Sequence, residues 1–127
     1  MRRRLFLSVP FCLAVLLLPS CAQRPGMVVF FSRDSAALDD AARGVIQHAG
    51  TVALANPSAP VTVIGFASPE TGTVEENKAL ARARAQGVAD ALVAAGVPRE
   101  RIRVQPWGAL SYGLTPTESR RVEIVVG

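Results

Sequence analysis

The apolar positions of the chain fall into two kinds of pattern. Residues 27–31 (MVVFF) and 61–66 (VTVIGF) are short, nearly continuous apolar runs, rich in β-branched and aromatic residues and of strand length. Residues 101–105 (RIRVQ) and 120–126 (RRVEIVV) lean towards alternation of polar and apolar side chains, the period of a strand with one wet face. Between these lie two stretches with helical spacing. The first carries Leu38, Ala42, Val45, Ile46, Ala49, Val52 and Ala53, is offered Asp34 or Ser35 as a cap, and is stopped by the prolines of Asn56-Pro-Ser-Ala-Pro60. The second opens on Thr73-Val-Glu-Glu76, a hydroxyl followed three residues later by a carboxylate, and runs to about Ala95 before Gly96 and Pro98. Residues 106–119 (PWGALSYGLTPTES), with two Pro and two Gly, read as a loop. The order β-α-β-α-β-loop-β predicts an α/β sandwich: one mixed sheet of about four strands packed by two helices.

The N-terminus has a different character. Arg2, Arg3 and Arg4 precede an apolar core over residues 5–18, shorter than the ~20 residues a membrane-spanning helix needs. A basic start, a short apolar core and small residues at its end describe an export signal. Leu18-Pro-Ser-Cys21 resembles the bacterial lipoprotein signal, in which the cysteine becomes the lipidated first residue. Ala22 rather than Asp after it implies, by that resemblance, delivery to the outer membrane. The expected organisation is a signal peptide over residues 1–20, a lipidated tether over 21–26, and one domain over 27–127.

Removing the signal changes the electrostatics. The formal charge of +4 comes from fourteen basic and ten acidic side chains, and three of the arginines leave with residues 1–20. Eleven against ten remain, so the basic balance gives no argument for nucleic-acid binding. Cys12 leaves too, and Cys21 alone cannot form a disulfide within one chain.

Catalytic chemistry finds few candidates. The single histidine, His48, points away from the apolar stripe of the first helix and reads as solvent-facing. Without a second His or a free Cys there is no zinc set and no Cys/His pair, so neither a metal nor a cofactor is expected. No Gly-rich phosphate loop is present, and no two carboxylates pair convincingly for hydrolysis.

The second helix holds the most informative residue. Stepping ~100° per residue from Leu80, its apolar and small positions Leu80, Ala83, Gly87, Val88, Ala91, Leu92 and Ala95 centre near ~50°. Arg84 falls at ~40° and Asn77 at ~60°, inside that stripe, while Arg82 at ~200° faces water. An arginine in an apolar stripe must snorkel out or find a partner. Two readings stand: an internal ion pair with Glu70 or Glu123, or a rim arginine offering its planar fork to a ligand carboxylate.

Four blocks then arrive in one order: Gly65-Phe-Ala-Ser68, Asn77-Lys-Ala-Leu-Ala-Arg-Ala-Arg84-Ala-Gln-Gly-Val88, Ala95-Gly-Val97 and Arg120-Arg-Val-Glu-Ile124. Together they resemble the OmpA-like, peptidoglycan-associated domain family over nearly all of residues 27–127. The resemblance implies non-catalytic binding of peptidoglycan, with an Asp after the second strand on the amine of diaminopimelate and a helix Arg on its carboxylate. Arg84 occupies the Arg position and Asn77 that of the helix-opening Asn. Ser68 stands where the family has Asp, and Glu70, two residues on, is the candidate substitute. Pro69 restricts Ser68 to extended geometry and stiffens the loop. Arg120 and Arg121 match the family's arginine pair, of which alternation sends one to the ligand side; Arg121 is taken as the contact.

The expectation is therefore an outer-membrane lipoprotein whose periplasmic domain tethers membrane to wall. Its partners are peptidoglycan, the outer membrane through lipid (palmitate among its chains) on Cys21, and an envelope protein if the site has changed its ligand. The alternative is a domain of the same fold that has lost peptidoglycan binding and uses the Trp107/Tyr112 loop on a protein partner. A hydrolase is the distant third.

Overall fold

A computed structural model describes residues 26–69, 72–109 and 115–127. Cys21 with its signal, Glu70 and Tyr112 lie outside the described residues. The elements are β1 (Met27–Phe30), α1 (Asp40–Ala55), β2 (Val61–Ala67), α2 (Val74–Ala94), a 3₁₀ turn (Arg99–Arg101), β3 (Ile102–Ala109), α3 (Pro116–Ser119) and β4 (Arg121–Val126). They form the expected mixed four-stranded sheet, in the order β1-β4-β2-β3. β2 and β3 run parallel, joined by α2, while β4 is inserted antiparallel between β1 and β2.

Strand alternation decides which side the helices take. Val29, Val61, Val63, Val122, Ile124 and Val126 are buried and share one core with Ala42, Ile46, Ala49 and Ala53 of α1 and Ala85, Val88 and Leu92 of α2. Residues of the opposite parity, such as Val28, Thr62, Glu123 and Val125, are only half-buried, so the other sheet face is open. Burying alanines lets α2 approach the sheet closely. At Gly65 an added Cβ would stand 2.2 Å from the Ala81 carbonyl oxygen, so β2 has no room there for any side chain. Among the described residues, no helix is long and apolar enough to cross a membrane.

The helix starts and stops follow local chemistry. Thr73 Oγ1 accepts from Glu76 N (3.2 Å) while Glu76 Oε2 accepts from Thr73 N (2.8 Å), the reciprocal cap expected at α2. Gly96, at φ +103°, takes the left-handed turn that ends it.

Several expectations are corrected. α1 is capped by Asp39, whose Oδ1 accepts from Ala42 N at 2.7 Å, and not by Asp34 or Ser35, which lie in the turn before it. β3 continues through Pro106–Ala109, and residues 116–119 form a short helix, where a loop was expected throughout. The inward face of α2 comprises Asn77, Ala81, Arg84, Ala85, Val88, Ala89 and Leu92. That face centres near ~100° from Leu80 rather than ~50°, with Ala83 exposed and Leu80 and Gly87 half-buried. Alanine surrounds this helix, so apolarity alone does not mark the side that packs.

Candidate functional site

The carboxyl ends of β1, β2 and β3, the amino end of β4 and the start of α2 meet at one end of the sheet, as the strand directions require. In sheets with parallel strands this is the end where ligands collect. It brings together Phe31, Phe66, Ser68, Asn77, Arg84, Arg120 and Arg121.

Arg84 is fully buried, at 0% exposure, and is the largest fully buried side chain among the described residues. Its guanidinium donates through Nε to the Ser35 carbonyl (2.7 Å), through Nη1 to the Phe66 carbonyl (3.2 Å) and through Nη2 to the Ser32 carbonyl (3.1 Å). Its Cζ also sits 5.2 Å from the centre of the Phe31 ring. One side chain thus fastens the end of β2 to the turn after β1. The sequence reading did not include these carbonyl partners, and the pairing with Glu70 falls on a residue outside the described ones. The guanidinium does not face water, and Glu123 is engaged elsewhere, accepting from Arg121 Nε at 2.8 Å. Burial, then the neighbouring charge of Arg120, push the Arg84 pKa down to about 10, partly countered by Asp34. The group therefore remains a cation at neutral pH.

Arg120, not Arg121, is the neighbour of Arg84. Arg120 Nε donates to the Phe31 carbonyl (3.2 Å) and Nη2 to Thr117 Oγ1 (3.2 Å). Arg121 lies on the open side of the sheet, its Cζ 4.8 Å from the centre of the Phe66 ring, with Nη1 donating to the Glu118 carbonyl at 2.7 Å. Strand parity carried this signal. Counting back by twos from the buried Val126, Ile124 and Val122 reaches Arg120 on the helix side.

The remaining residues of the site are also buried. Ser68 is 1% exposed, and Asn77 is 3% exposed with Nδ2 donating to the Gly72 carbonyl at 3.4 Å. Ser119 is buried too, its Oγ donating to the Thr115 carbonyl at 3.1 Å. Ser32, Arg33 and Asp34 form an exposed turn, with Asp34 at φ +52°. His48 is exposed, and among the described residues no group of His, Cys, Asp and Glu has the arrangement of a metal site. The chemistry on offer is cationic: a buried planar fork, a second guanidinium beside it, and neutral hydroxyl and amide groups around them. A carboxylate arriving here would replace neutral carbonyl acceptors with a charged one, which makes the stronger hydrogen bond.

Fold and site define a two-layer α/β domain that presents buried arginine at the carboxyl ends of its parallel strands. A family model described as the OmpA family matches residues 30–123. The chain belongs to the OmpA family. Similar solved structures include the peptidoglycan-associated lipoprotein from Burkholderia pseudomallei (24% identity, TM-score 0.73, covering 80% of this chain and 90% of that one). The OmpA-like domain of FopA1 from Francisella tularensis is also similar (24% identity, TM-score 0.69, 79% and 72% covered). So is the C-terminal domain of MotB from Helicobacter pylori (18% identity, TM-score 0.67, 82% and 86% covered). At these identities the likeness is one of fold. No curated protein matches the sequence.

Proposed function

We propose that this domain binds peptidoglycan without catalysis, holding a carboxylate of the diaminopimelate-containing stem peptide at Arg84. Cys21, lipidated after removal of residues 1–20, anchors it in the outer membrane, and residues 27–127 face the periplasm as the wall-binding domain. The observation that carries the reading is a buried, charged arginine at the ligand end of the sheet with Arg120 beside it and, among the described residues, carbonyl acceptors rather than a carboxylate on its fork. Ser68 and Asn77 line the same end, Glu70 supplies the charge that recognises the amine, and Arg121 guards the far side. Weak binding by each domain suffices, because many anchored copies act on one polymer.

A second reading has its own support. Three backbone carbonyls already engage Arg84, and Ser68 has replaced the family's Asp, as expected of a domain that has exchanged wall binding for a protein partner. Sedimentation with insoluble peptidoglycan separates the two. Retention that Glu70→Gln weakens more than Ser68→Ala supports the first. A protein that stays in the supernatant while capturing an envelope protein supports the second.

A further inference from the structure

The open face of the sheet, opposite the buried guanidinium of Arg84, carries a row of its own. Opposite-parity residues of neighbouring strands line up across it: Phe30 pairs with Arg121, and Phe66 bears both Arg121 and Trp107 on its ring. Phe66 is 4% exposed, but Phe30 and Trp107 are 50% and 63% exposed. Single exposed aromatics are ordinary. This one is held in place. Trp107 is the extra residue where the β2–β3 register shifts between Gly65 and Phe66, and the next residue, Gly108, adopts φ +84°. Such bulges re-aim a side chain. The indole meets Phe66 edge-on, at 5.8 Å and 77°, and most of its surface remains in water. Gln105 and the Arg121–Glu123 pair lie on the same face, so planar hydrogen-bonding groups share it with the ring.

An exposed indole braced edge-on by Phe66, on a face that also carries an amide, a guanidinium and a carboxylate, matches one chemistry well. The apolar C–H face of a pyranose stacks on the ring, and hydroxyl and N-acetyl groups bond to the planar side chains. Phe66 joins this face to the other site, since its carbonyl accepts from Arg84 while its ring supports Trp107. We propose that Trp107, with Gln105, Arg121 and Glu123, forms a subsite for a β-1,4-linked N-acetylhexosamine chain, the glycan part of the same polymer. The proposal rests on the wall-binding reading for its biological setting, but its test does not.

Trp107 is the only tryptophan of the 127 residues, so emission excited at the red edge, beyond the absorption of Tyr112, reports on this face. Titration of the purified full chain with chitotriose is expected to give a saturable emission change with a dissociation constant of about 1 mM, the range of a single shallow sugar contact. Trp107→Ala should lower retention on insoluble peptidoglycan about tenfold, the usual effect of truncating a central aromatic contact, and leave affinity for the free stem peptide unchanged. A response to chitotriose without any binding of the stem peptide would support the subsite and sink only the Arg84 reading. Emission that is unchanged up to about 10 mM chitotriose, or equally changed by maltotriose, overturns the proposal. So does an emission shift that depends on protein concentration alone, which would assign the face to a second copy of the chain.

Discussion

Removing Arg84 is expected to damage the fold before any ligand is considered. Arg84→Ala leaves the Ser35 and Phe66 carbonyls, and one bond to Ser32, without their charged donor, and opens a void at a site with 0% exposure. A hydrogen bond to a charged group contributes ~1.5–3 kcal/mol. The three share one guanidinium, so they count as a network rather than a sum, and the loss is set at ~3–5 kcal/mol. For a domain of about 100 residues, each kcal/mol moves the melting temperature by ~4–8 °C, which puts the drop at roughly 20 °C. Arg84→Lys keeps the charge but not the fork and should lose about half as much. Thermal and urea melts of both variants, with the urea slope checked for constancy, measure this directly. An Arg84→Ala melt within ~0.5 kcal/mol of the parent would refute the network, because surface substitutions alone stay in that range.

Three further outcomes are expected. Gly87→Ala on α2, where an added Cβ meets nothing within 4 Å, should stabilise by ~0.5–1 kcal/mol, while Gly65→Ala should cost more than ~2 kcal/mol against the Ala81 carbonyl; melts that rank them the other way would show that α2 does not sit as close to β2 as described. Hydrogen bonds from the Thr73 backbone and then its hydroxyl hold the Glu76 carboxyl below its ordinary 4.5. The cap therefore contributes stability above about pH 4.5 and loses it as pH falls through the lower folded value, and Glu76→Gln should flatten that acid limb; parallel pH–stability curves would contradict it. Cys21→Ser should release the protein from membranes, since each buried acyl CH₂ contributes ~0.8 kcal/mol of anchoring, and a mass of the processed N-terminus without lipid would end the lipoprotein reading.

Much of the fold was legible because its signals are local. The Thr73/Glu76 cap, the Gly96 stop and the alternation of β4 each follow from a few adjacent residues. What was hidden depends on distant partners. Pro106 and Gly108 look like loop, yet an edge strand tolerates both at a bulge, so β3 runs through them. The face of α2 was misplaced because alanines surround it, and only the sheet decides which of them are covered. Arg84 stood out as an arginine among apolar residues. Its partners did not, since backbone carbonyls 18, 49 and 52 residues away leave no trace in side-chain identity. Arg120 was within reach of strand parity, which also separates it from Arg121.

Whether Arg84 meets a carboxylate of the wall peptide, as proposed, is measured by an NMR titration of the labelled domain with a diaminopimelate-containing stem tripeptide. Saturable shifts are expected at the Arg84 Nε–H and at the backbone of Ser68 and Asn77, with affinity reduced about tenfold in Arg84→Lys at unchanged secondary structure, the loss of roughly one charge-assisted bond. Shifts confined to other surfaces, or an affinity that Arg84→Lys leaves intact, would contradict it.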